Sequence, residues 1–188
     1  MANITVTTGL GALKGVFNKV KEVYYVKTPN TSLSSLSKFD MEFPILSDGV
    51  SFDTGKATVS ELKLTTGEVW TSMSEKGEAS ISFQVPCIDG DIAEVLMNKE
   101  GATITMTNDI EGYNFKGQGY NLEPKKVKGG LFLLAEDRAT AIFLPNAELY
   151  ASLVIDQSKG AYFDISVTPL ASTTGETIIV LEGTKSAT

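Results

Sequence analysis

Glu78-Ala79-Ser80-Ile81-Ser82-Phe83-Gln84-Val85 alternates without a break. Ala79, Ile81, Phe83 and Val85 fall on one face, and Glu78, Ser80, Ser82 and Gln84 on the other. A period of two marks an extended strand with one packed face and one wet face. Phe163, Ile165 and Val167 alternate in the same way with Asp164, Ser166 and Thr168. Ala102 to Thr107 repeats the pattern, which predicts Ala102, Ile104 and Met106 inward and the threonines outward. Leu149, Ala151, Leu153 and Ile155 follow it less cleanly, because Val154 interrupts the polar face.

Further strands are predicted at Glu22–Lys27, Phe39–Ile45, Lys56–Leu64, Glu68–Thr71, Tyr113–Gln118 and Thr177–Leu181. The inward parity flips between Ala57-Val59 and Leu62-Leu64, which places a bulge near Ser60-Glu61. Leu131-Phe132-Leu133-Leu134-Ala135, the turn Glu136-Asp137-Arg138 and Ala139-Thr140-Ala141-Ile142-Phe143-Leu144 read as a hairpin. The apolar runs on its arms imply burial on both faces, or a face that meets another subunit. Pro145-Asn146 is expected to end the second arm.

One short helix is predicted near residues 89–98. Asp89 or Asp91 can cap it, Ile92, Val95 and Leu96 share a face, and Asn98 and Gly101 stand where a helix stops. The expected fold is mainly β: two packed antiparallel sheets, as a β-sandwich or partly open barrel, with that helix across an opening or edge. At 188 residues a single domain is expected over 1–188. Residues 1–15 read as an N-terminal arm and 28–38, rich in Ser and Thr, as a mobile loop. Residues 71–77 read as a polar connector and 183–188 as a frayed tail.

Composition removes most chemistry. There is no histidine, so Ser-His-Asp and Cys-His catalysis and two-His zinc sites are excluded. The one cysteine, Cys87, leaves no internal disulfide or cysteine-cluster metal site, and reads as a small buried apolar residue. The 23 acidic against 16 basic side chains give a net charge of −7, a poor basis for wrapping nucleic acid. The N-terminus lacks the basic start and apolar run of a secretory signal, which predicts a chain kept in the cytosol. No apolar run approaches the ~20 residues of a membrane span.

Each remaining motif has a plain structural reading. Gly9-Leu10-Gly11-Ala12-Leu13-Lys14-Gly15 is one residue too long for a dinucleotide loop and reads as a turn. Gly183-Thr184-Lys185-Ser186 lacks the pairing of a phosphate loop. Asp89, Asp91 and Glu94 lack calcium-loop spacing and suit the start of a helix. Lys125-Lys126-Val127-Lys128 reads as edge-strand lysines or partners of acidic neighbours. Trp70 reads as core or interface packing rather than sugar stacking. Tyr113, Phe115 and Tyr120 form either an aromatic platform or one sheet face. No catalytic, cofactor or metal site is expected.

Two stretches carry a family likeness. Gly49-Val50-Ser51-Phe52-Asp53-Thr54-Gly55-Lys56-Ala57 leads into a strand, a Trp-bearing turn, the alternating strand to Val85 and the helix. The second is Lys125-Lys126-Val127-Lys128-Gly129-Gly130-Leu131-Phe132-Leu133-Leu134-Ala135-Glu136-Asp137-Arg138, on to Phe143-Leu144-Pro145-Asn146-Ala147-Glu148-Leu149. Over about residues 40–182 the chain resembles bacteriophage tail tube (major tail) proteins. Those it resembles come from phages or prophages of gut Bacteroidetes, and the family is related to the tubes of contractile injection systems.

The resemblance implies a structural virion protein and no enzyme. It implies hexameric rings that stack into a hollow tube, with other tail proteins as partners and DNA in transient, non-specific passage. It implies assembly in the host bacterial cytoplasm and residence in the virion tail. Residues 28–37 and 71–77 would then be stacking loops. A secreted or surface β-sandwich module that binds carbohydrate is the competing expectation, and another virion part of related fold a third.

Overall fold

The computed structural model describes residue 17 and residues 19–46, 49–86 and 90–184. The predicted arm, the glycine loop at residues 9–15, Cys87, Asp89 and most of the tail lie outside the described residues. Twelve strands run in chain order: β1 (Val20–Val26), β2 (Met41–Phe43), β3 (Ser51–Asp53), β4 (Thr58–Lys63), β5 (Val69–Glu75), β6 (Ser80–Val85), β7 (Asn98–Thr105), β8 (Lys116–Asn121), β9 (Val127–Ala135), β10 (Thr140–Asp156), β11 (Gly160–Pro169) and β12 (Ile179–Glu182). One helix, α1 (Gly90–Leu96), lies between β6 and β7. The fold is mainly β. An eight-stranded antiparallel sheet has the order β2-β1-β9-β10-β11-β6-β3, with β12 also paired to β10. β4–β5 and β7–β8 are separate two-stranded sheets.

The chain forms two compact units. The first takes the described residues of Met1–Ile45, Lys128–Ala147 and Leu170–Thr188. Its packed face is built on register: Val23 lies between Phe43 and Leu133, and Tyr25 opposite Leu131. All five are buried. On the other face Tyr24 stacks on Phe39 at 4.7 Å, and Phe132 lies 5.3 Å from Phe39. Phe143 and Leu144 of β10 are both fully buried, so the first part of this strand is covered on both faces, as its apolar run requires. Gly129 makes room for the Tyr25 ring: a Cβ there would stand 2.4 Å from the ring and from the Val26 carbonyl. The Tyr25 hydroxyl can thereby donate to the Lys128 carbonyl at 2.9 Å.

The β9–β10 turn is held from several sides. Arg138 takes a left-handed φ of 57°, and its amide donates to the Ala135 carbonyl. Its guanidinium reaches Glu22 at 3.3 Å, and the Tyr24 hydroxyl donates to the same carboxylate at 2.6 Å. The Tyr24 hydrogen bond, then the Arg138 charge, hold Glu22 below the usual carboxylate range. The same carboxylate pushes Tyr24 up to about 12.

The second unit takes the described residues of Leu46–Val127 and Glu148–Pro169. Phe163 pairs with Val85, Ile165 with Phe83 and Val167 with Ile81, and all six are buried. Asp164 pairs with Gln84 and Ser166 with Ser82 on the polar face. The helix buries Ile92, Ala93 and Leu96. With seven residues it is shorter than a self-sustaining helix, and its stability comes from that burial. Lys125 closes its C-terminus by donating to the carbonyls of Glu94 (2.7 Å) and Met97 (3.0 Å).

Several sequence expectations are corrected. β10 does not end at Pro145-Asn146 but continues to Asp156. The Pro145 carbonyl accepts the Asn30 amide and the Asn146 carbonyl the Leu170 amide, so the extended backbone keeps partners there. Asn98 opens β7 rather than closing the helix. Gly101, at φ 74°, sits in a register shift of the β7–β8 pair between Lys99 and Thr103. The β4–β5 irregularity lies between Leu62 and Lys63, not at Ser60-Glu61. Thr71 to Glu75 is strand, not connector. Lys128 lies on β9 beyond the stretch paired with β1, which ends at Val26 opposite Gly130.

Gly129→Ala should destabilise the protein by about 1–3 kcal/mol in chemical denaturation, because backbone and ring both crowd the new methyl. Gly117→Ala, where nothing lies within 4 Å of the added methyl, should change stability by no more than about 0.5 kcal/mol. Glu22 supplies a second test. Its folded pKa is depressed, so its contribution is fully present above its ordinary value of 4.5 and is lost as pH falls through the folded value. Below 4.5 the denaturation midpoint should therefore fall more steeply in the natural protein than in Glu22→Gln. Parallel slopes would remove that linkage.

Candidate interaction surface

Little in the described residues converges for chemistry. Among them, no group of three or more acidic or cysteine side chains is placed to hold a metal. Asp91 lies in the first turn of the helix, as an acid at a helix start should. Lys126 pairs with Glu148 at 2.9 Å, and that carboxylate raises the lysine pKa. The acidic-partner reading thus holds for Lys126, while Lys125 serves the helix carbonyls.

The notable feature is apolar surface. Every residue from 56 to 76 is exposed, although Val59, Leu62, Leu64, Val69, Trp70 and Met73 are all large and apolar. Every residue from 99 to 117 is exposed as well, including Ile104, Met106, Ile110, Tyr113 and Phe115. These are the β4–β5 and β7–β8 hairpins. The inward placement of Ile104 and Met106 is therefore overturned, with Ile104 65% exposed. Core packing of Trp70 is overturned too, at 68% exposure. The reason is the same for both: among the described residues each strand pairs with one partner only, and no further layer covers either face.

The hairpin around Trp70 has a specific geometry. Leu62 pairs with Thr71 and Lys63 with Val69, which leaves Trp70 as an extra residue with no partner opposite. Such a bulge bends the ribbon and re-aims its side chain. The tip is closed by the Gly67 amide donating to the Leu64 carbonyl at 2.8 Å, with Gly67 at φ 85°. Only glycine takes that conformation without strain. Lys63 lies beside Glu61 at 3.6 Å, both largely exposed, a pair that contributes little.

Tyr113 and Phe115 are exposed on the second hairpin. The Tyr120 ring is half-buried, and its hydroxyl lies 3.5 Å from the Gly90 carbonyl.

A groove lies in the first unit. It is lined by residues 30–34, 172–174 and 176 and by Phe143, Pro145, Ile179 and Leu181, and its volume is about 430 Å³. Asn30 ties the first two segments by accepting the Thr173 amide at 3.1 Å. Residues 30–34 of the Ser-Thr loop thus line this groove. Glu176 stands on the rim. Hydrogen bonds from the Thr174 and Ser172 hydroxyls lower its pKa and keep it ionised. Among the described residues it has hydroxyl partners and no ion pair. Sequence reasoning missed this groove, because its lining comes from three separated segments.

No protein family matches the chain, and no curated protein matches it either.

Trp70 is the only tryptophan, so its emission reports the hairpin directly. In dilute solution that emission should be red, as in water, and acrylamide should quench it freely. Trp70→Phe should leave the unfolding free energy within about 0.5 kcal/mol. A blue, protected emission from a monomer would mean that the side chain is covered within one chain.

Proposed function

We propose that this chain is a structural subunit that assembles with copies of itself into rings, and that the rings stack into a tube, as its resemblance to phage tail tube proteins implies. One observation carries the reading: two hairpins expose large apolar side chains that nothing in the described chain covers. Contiguous apolar surface of this kind marks interaction sites. The edges support it too. The eight-stranded sheet ends in β2 and β3, three residues each, which offer few unpaired groups. The longer unpaired edges belong to the hairpins, where β5 has seven residues and β7 eight. Assembly through hairpin edges would satisfy backbone groups and cover apolar side chains together.

The net charge of −7 is compatible with a lumen that repels DNA and lets it slide. On this reading the protein performs no chemistry, is made in a bacterial cytoplasm and ends in a virion tail. A second reading has one observation behind it. The exposed Trp70 is free to stack on a sugar ring, as a carbohydrate-binding module requires.

Negative-stain microscopy of the concentrated protein separates the two. Rings, or tubes of constant diameter, are the expected result. Discrete monomers at every concentration, together with glycan binding that Trp70→Ala abolishes, would replace this reading with the second.

A further inference from the structure

We draw no further inference here: the strongest candidate, the exposed apolar face of the β7–β8 hairpin, where the register sets Ile104 and Met106 on the same side as Phe115, carries nothing because nothing in the structure shows what covers it.

Discussion

A two-stranded β-ribbon has no interior. Every side chain on it faces outward on one side or the other, and each strand keeps an unpaired backbone edge. The structure puts six large apolar side chains on the ribbon of residues 56–76 alone. Leaving them in water forgoes about 25 cal/mol for every Å² of apolar area that a partner would cover. The eight-stranded sheet stands in contrast. Val23, Leu131, Leu133, Phe83, Phe163 and Ile165 are all buried by this chain's own residues. Among the described residues the core of the sheet is covered by the chain itself, and the apolar side chains of the ribbons are not.

Period-two alternation was legible wherever it occurred, but its meaning differed. Ile81, Phe83 and Val85 alternate with polar residues and are buried. Ala102, Ile104 and Met106 alternate in the same way, yet Ile104 is exposed. Alternation reports which residues share a face and carries no information about what lies opposite that face. Among the described residues β6 has β11 and β3 on its two sides, whereas β7 has only β8. That difference resides in long-range pairing, which a single sequence does not display. Pro145 teaches the same lesson. Its missing N–H argued for a strand end, but the partner that sustains the chain there is Asn30, far away in sequence.

The Trp70 bulge was half legible. The parity flip within residues 57–64 signalled an irregularity, and one exists. Register belongs to a pair of strands, however, and the extra residue sits on the partner strand. Reading one strand located the disturbance two residues early and missed the side chain that it re-aims. The lysine cluster was ambiguous for a related reason. Lys125 and Lys126 are adjacent, yet one serves helix carbonyls and the other a carboxylate. Their partners come from different segments, so local charge pattern does not distinguish them.

An apolar ribbon with open edges invites indiscriminate pairing, and this one carries features that oppose it. Glu61, Lys63, Glu68, Glu75 and Lys76 are spaced among the apolar residues. Charges of both signs penalise a flat strand laid along the edge out of register. The bulge at Trp70 also breaks the regular repeat of edge amides and carbonyls, so a long partner strand cannot pair straight through it.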